Sequence, residues 1–126
     1  LTVQPTDIIV SKGTGIEDGY SGFEGRSDTG QTLEQIIQPR TPNERVIVSL
    51  GGIATDYCVK ATAIDAANQA QRVAEARQGI IEVYALQDAI RAVNLQPTDE
   101  ADAKWQMTLA EVKFTTTEAA IARMEA

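Results

Sequence analysis

The chain of 126 residues contains no histidine. Within these residues that excludes every mechanism built on an imidazole: Ser-His-Asp and Cys-His pairs, HExxH zinc sites and histidine proton shuttles. A single cysteine cannot form an internal disulfide, which fits a reducing compartment, read here as cytoplasmic. No apolar run approaches the roughly 20 residues that cross a bilayer. The opening Leu1-Thr2-Val3-Gln4-Pro5 lacks both the basic and the apolar region of a secretory leader. Positive charge is scarce, with 11 Lys and Arg against 18 Asp and Glu and a net charge of −7. That balance repels phosphate backbones and anionic lipid, so neither nucleic acid nor membrane is an expected partner. The chain also opens without Met, inside an extended-looking segment, so a processed or partial chain is expected.

What is present is enough for a core. Hydrophobic residues make up 43% of the chain, and its length predicts one domain over residues 1–126. Short β-branched runs alternate with helical stretches. Asp7-Ile8-Ile9-Val10-Ser11 reads as a buried strand, followed by a glycine-rich loop through Gly13, Gly15, Gly19, Gly22, Gly25 and Gly30. Leu33, Ile36 and Ile37 share one helical face, with Thr32 as cap and Pro39 and Pro42 as stops. Arg45–Gly51 has the near-continuous apolar content of a strand covered on both faces. A helix is predicted from Thr55-Asp56 to about Arg77, stopped by Gly79. Ile80–Leu86 is a third strand, Pro97-Thr98-Asp99-Glu100 opens a helix, Glu111–Thr115 is a fourth strand, and Thr117 caps a terminal helix. Strand–helix alternation of this kind predicts an α/β fold with a parallel sheet and helices on both faces. The glycine-rich loop has neither the GxxxxGK[ST] spacing of a P-loop nor a GxGxxG between strand and helix.

In open α/β sheets ligands collect at the carboxyl ends of strands. Lys12, the Gly51-Gly52-Ile53-Ala54 turn and Asp88 fall at such ends. Cys58 falls in the first turn of the helix after the second strand, where free backbone amides and the helix dipole stabilise a thiolate. Two readings stand side by side for it: a nucleophile assisted by a nearby lysine, or an inert buried thiol. Lys12 is either that lysine or a solvated strand end. Asp56 and Asp65 read as a cap and a structural acceptor. Tyr20, Phe23 and Tyr57 line an aromatic pocket or simply pack, and Trp105 packs.

Three ordered blocks carry a resemblance. Gly52-Ile53-Ala54-Thr55-Asp56-Tyr57-Cys58-Val59-Lys60-Ala61-Thr62 resembles the nucleophile segment of nicotinamidases (pyrazinamidases), in the isochorismatase-like cysteine hydrolase superfamily. Ser11-Lys12-Gly13-Thr14 with Tyr20-Ser21-Gly22-Phe23 is similar to a second block, and Gln87-Asp88-Ala89-Ile90-Arg91-Ala92-Val93 to a third. The resemblance implies an isochorismatase-like, Rossmann-like three-layer fold with four of the family's six strands present, so that the chain is a C-terminal portion of the hydrolase domain. It implies hydrolysis of nicotinamide to nicotinate and ammonia through a cysteine thioester, a step of pyridine nucleotide metabolism and NAD salvage. Cys58 matches the nucleophile and Lys12 the catalytic lysine. Ala54 and Cys58 match the residues whose amides form the oxyanion hole, after an Ile53–Ala54 peptide expected to be cis. Tyr20, Ile53 and Tyr57 match positions near the substrate.

The same resemblance marks what is missing. The family's general-base aspartate lies upstream of the position matched by Lys12, and no such motif is present here. A divalent metal is implied as a cofactor, but its Asp-x-His ligands are absent, so no metal residue is assigned in this chain. The family's first and second strands would lie between Asp7–Ser11 and Arg45–Gly51, so a further segment or a homo-oligomer is the expected partner besides a small-molecule amide. Two alternatives remain at this point: an inactive remnant or interaction module of the same fold, and a related amidase acting on another small amide.

Overall fold

The computed structural model describes residues 4–5, 7–12 and 20–125. Gly13, Thr14, Gly15 and Gly19 of the glycine-rich loop lie outside the described residues. A parallel sheet of three strands organises the rest: β3 (Arg45–Ile53), β4 (Ile80–Arg91) and β5 (Lys113–Thr115), in that spatial order. Ahead of it, β1 (Val10–Ser11) pairs antiparallel with β2 (Arg26–Ser27). The helices are α1 (Leu33–Ile37), α2 (Lys60–Glu75), α3 (Asp99–Leu109) and α4 (Thr117–Glu125). Each parallel pair is joined by a helix, α2 between β3 and β4 and α3 between β4 and β5, as parallel strands require. Among the described residues no helix is long and apolar enough to cross a membrane.

Alternation in the strands decides where the core lies. Ile81, Val83 and Ala85 of β4 face Ala63, Ala66, Ala67 and Val73 of α2 and Ala103 and Met107 of α3, with Val112 closing the cluster. Alanines on α2 let its backbone lie close to the sheet, so close packing comes from small side chains. Tyr84 points to the other face. There its hydroxyl donates to Glu82, and the Arg123 guanidinium of α4 lies 4.3 Å from the ring centroid.

Two strand expectations need correction. Asp7–Ser11 is not a buried strand of the main sheet. Only Val10–Ser11 is paired, and Ile8 and Ile9 stay more than half exposed. An apolar run becomes a buried strand only where neighbours offer both hydrogen bonds and cover, and β1 has just the two residues of β2. The main sheet therefore holds three strands, not four. Nor is β3 covered on both faces. Val46, Val48 and Leu50 pack against the core while Ile47 is 45% exposed, so the strand alternates as a one-sided strand does.

Local signals were sounder. Thr32 accepts from the Gln35 amide and the Gln35 side chain accepts from the Thr32 amide, a complete capping box at α1. Past α2 the chain turns through Arg77 and Gly79, both at positive φ. A Cβ on Gly79 would sit 2.5 Å from Pro39 Cβ and 2.9 Å from Glu44 O, so only glycine fits there. At α4 the cap is one residue earlier than expected: the Thr116 hydroxyl accepts from the Ala119 amide, and Thr117 bonds Asp88 instead.

Met107 is fully buried at the meeting of α3 with the sheet. Met107→Ala is expected to lower stability by about 2–5 kcal/mol, through lost transfer energy and the cavity left behind. Urea unfolding checks it: the midpoint should fall at constant slope.

Candidate functional site

The site forms where β3 ends. The register with β4 shifts between Leu50 and Gly52, which has positive φ, and the strand runs on to Ile53, where Ile53–Ala54 is a cis peptide, as the resemblance implied. The next residues do not enter an α-helix directly, which corrects the expected helical first turn. Thr55–Val59 form a π-helical turn in which the amides of Tyr57 and Val59 both donate to Ala54 O, at 3.1 and 2.9 Å. Only from Lys60 does the chain run on as α2. Cys58 lies in this wide turn, neither fully buried nor fully exposed.

Lys12 follows directly on β1, and its Nζ donates to Cys58 Sγ at 3.2 Å across 46 positions of sequence. The close approach that places Lys12 is made at Gly25. A Cβ there would run into the Ser11 carbonyl and lie 2.9 Å from Val10 Cγ1, so β1 can rest on this segment only because the side chain is missing. Tyr57, the residue before Cys58, meets Tyr20, their ring centroids 5.4 Å apart and tilted by 42°. Burial raises the Tyr57 phenol above its ordinary value, and the charges of Asp99 and Asp56 and the neighbouring Tyr20 push it the same way. The ring therefore stays neutral through the physiological range.

Of the sequence-predicted residues, Lys12 is brought to Cys58, and Tyr20 to Tyr57, which precedes Cys58 in the turn. Ala54 is buried at the start of the same turn. Ile53 is at the end of β3 but 76% exposed. Asp88 is not at the site: it accepts from the amide and hydroxyl of Thr117, and those bonds, the amide first, hold its carboxyl below the usual range. Trp105, expected to pack, is 63% exposed on α3 because its neighbours Ala103 and Met107 are the residues that face the core. The largest described hollow, about 670 Å³, is lined by Gln4, Asp7, Ser11 and Ser27 among others and by neither Lys12 nor Cys58. A smaller one of about 200 Å³ is lined by Asp56, Tyr57, Lys60, Asp99 and Asp102. Chemistry rather than size identifies the candidate site.

Asp56 and Asp65 are the residues whose partners the sequence did not reveal. Asp56 is buried and accepts from the amides of Val93 and Asn94 at 3.0 and 2.8 Å, tying the end of β4 to the turn that carries Cys58. It is an acceptor for a distant loop rather than a helix cap. Asp65 accepts from the Ser21 hydroxyl at 2.5 Å, and Thr62 accepts from the Gly22 amide at 2.8 Å. The signal was present as polar residues spaced three apart on an alanine-rich helix, but nothing local says what they hold.

No protein-family model matches the chain. It is 32% identical over 94 residues to a nicotinamidase of Escherichia coli (strain K12), covering 74% of this chain and 38% of that protein. Among solved structures it is similar to the zinc complex of the pyrazinamidase of Pyrococcus horikoshii, with 31% identity and a TM-score of 0.53, over 79% of this chain and 45% of that one. It also shares its fold with PnC1 from L. infantum in complex with nicotinate, at 24% identity and a TM-score of 0.51, over 79% and 43% of the two chains. The chain is thus related to nicotinamidases and has the isochorismatase-like fold. It spans less than half the length of each of these relatives.

Burial alone would raise the Asp56 carboxyl, but the amides of Val93 and Asn94, its own amide and the Lys60 charge together bring it below the ordinary 3.8. The folded protein binds that proton more weakly than the unfolded chain. The stabilisation is therefore complete above the unfolded value and drains away as pH falls through the folded one. Asp56→Asn is expected to destabilise by roughly 1 kcal/mol at neutral pH. The gap to the parent should shrink as pH falls below the ordinary carboxylate value, measured by urea unfolding from neutral to acid pH.

Proposed function

We propose that this chain is the nucleophile-bearing portion of an amidohydrolase that converts nicotinamide to nicotinate and ammonia. The observation that carries this reading is the 3.2 Å hydrogen bond from Lys12 Nζ to Cys58 Sγ at the carboxyl end of a parallel strand. An ammonium donating to sulfur stabilises the thiolate, the form that attacks a carbonyl carbon. The kinship with nicotinamidases supports the choice of amide.

In this reading the Cys58 thiolate adds to the carboxamide carbon, and the carbonyl electron pair moves onto oxygen. The backbone amides of Ala54 and Cys58 receive that oxyanion, with the Lys12 ammonium nearby. Collapse of the adduct expels nitrogen, which leaves as ammonia after taking up a proton, and a thioester to Cys58 remains. Water then adds to the thioester carbonyl, releasing nicotinate and regenerating the thiolate. Tyr20 and Tyr57 flank the pyridine ring, with Ile53 at the rim.

The carboxylate that accepts the thiol proton and relays it to the leaving nitrogen comes from polypeptide beyond these residues, either a further segment or a second copy. The outer edge of β3 carries no strand among the described residues, and β3 leads directly into the Cys58 turn, so backbone can approach the sulfur along that edge. The family resemblance also implies a divalent metal. Among the described residues no three His, Cys, Asp or Glu side chains form a group able to hold one, and the sequence has no histidine. This chain's own side chains do not fit that role, and no step above runs through a metal.

Ammonia release from nicotinamide by the full-length protein containing this chain tests the proposal. Cys58→Ala should abolish turnover, and Lys12→Ala should lower kcat/KM by about 10²-fold or more. In the parent, denaturing quench during turnover should trap a nicotinoyl thioester on Cys58, seen by peptide mass spectrometry. Full activity in Cys58→Ala would overturn the reading.

A further inference from the structure

We propose that Asp65 and Ser21 form a latch that fixes Tyr20 against Tyr57, and that this latch sets how tightly an aromatic amide is held beside Cys58. The inference rests on the proposed function and deepens it by naming positioning residues for the substrate ring.

The argument starts from what holds the segment that carries Tyr20. Residues 20–25 belong to neither sheet, and Tyr20 itself is 43% exposed. Yet the next residue, Ser21, is only 3% exposed. Its hydroxyl is used twice: it donates to Asp65 at 2.5 Å and accepts from the Phe23 amide at 3.1 Å. The following amide, Gly22 N, donates to Thr62 Oγ1 at 2.8 Å. A Cβ on Gly22 would crowd Leu33 Cδ2 at 3.2 Å, so the backbone lies hard against α1 as well as α2. A short charge-assisted bond to a half-buried carboxylate is about twice as strong as a neutral one and is directional.

Thr62, Asp65, Gln69 and Arg72 then form one stripe along α2, at spacings of three and four. Gln69 donates to Glu34 O and to Gln38 Oε1, and Arg72 pairs with Glu34. The arm from Ser21 to Gln38 is tied to this stripe, and the ties nearest Cys58 are Gly22–Thr62 and Ser21–Asp65. α2 also carries the turn with Cys58 at its start. One helix therefore fixes the nucleophile at its N-terminal end and Tyr20, through the latch, two turns further on. Removing the latch frees Tyr20 without touching the Lys12–Cys58 pair.

The test uses the full-length protein and four variants: Ser21→Ala, Thr62→Val, Asp65→Ala and Asp65→Asn. Two readouts run in parallel, steady-state kinetics on nicotinamide and on a small aliphatic amide, and the rate of Cys58 alkylation by iodoacetamide. Loss of the latch should raise KM for nicotinamide about tenfold in Ser21→Ala and Asp65→Ala, the size of one lost charge-assisted bond. It should leave kcat within about twofold, and it should leave aliphatic-amide kinetics and the alkylation rate near parental values. Asp65→Asn keeps an acceptor oxygen and should restore most of the nicotinamide KM. Thr62→Val removes the neighbouring tie and should give a smaller rise. An unchanged KM in Ser21→Ala, or equal losses in Asp65→Asn and Asp65→Ala, overturns the latch. A parent that releases no ammonia and whose Cys58 reacts no faster than free cysteine overturns the proposed function instead. The two failures are thus read on different proteins.

Discussion

The contact between Lys12 and Cys58 joins two parts of the molecule that the sheet does not join. Cys58 belongs to the well-supported side, at the exit of β3 and the head of α2, whose alanines are buried against β4. Lys12 follows directly on β1, which is two residues long and is paired with β2 among the described residues. A hydrogen bond of 3.2 Å from a flexible four-carbon stem has a defined length only if its root is held. That root is held by the pairing of β1 with β2 and by the close approach of β1 at Gly25. The segment beyond is tied to α2 by Gln69 and Arg72, apart from the Ser21–Asp65 bond that serves Tyr20.

This division has an energetic consequence. The sheet side is stabilised by apolar burial, which is non-directional and tolerates small shifts. The arm side is held by polar bonds, each with a modest net contribution of about 1 kcal/mol but sharp in geometry. Gln69 shows the cost of using them inside: it is 1% exposed and its Nε2 makes two bonds, while its Oε1 is buried with no partner. A fully apolar contact at that place would stabilise more and position less. Polar ties are the better device where the aim is to hold Tyr20 and Lys12 at set distances from sulfur.

What the sequence disclosed and what it hid divide along the same line. The strands at Val46 and Ile81, the Thr32 cap and the Gly79 stop were legible because each depends on residues close together in sequence. The fate of Asp7–Ser11 was not, because an apolar run says nothing about whether neighbouring strands are there to pair with it. The one-sided cover of β3 was hidden for the same reason. The π-helical turn at Thr55–Val59 has no composition of its own, so a helix start was the natural expectation. Asp65 was legible as an acceptor and Asp56 only as a cap, because their donors, Ser21, Val93 and Asn94, are 37 to 44 positions away.

The two faces of the Cys58 turn are also fixed in different ways. On one side Asp56 ties it to Val93 and Asn94, the latter at positive φ, so the chain leaving β4 wraps the turn from behind. Lys12 reaches the turn through the Cys58 sulfur and Tyr20 through the Tyr57 ring, and Lys12 and Tyr20 are open to solvent. A nucleophile needs this asymmetry. The backbone that aims the sulfur must not move when substrate arrives, while the side that receives substrate must have room and adjustable walls. Rigid support from a buried carboxylate and an aromatic wall set by a part-buried latch provide the two halves of that requirement, and both are made by aspartates of one continuous segment, Asp56 and Asp65, separated by the turn and two turns of helix.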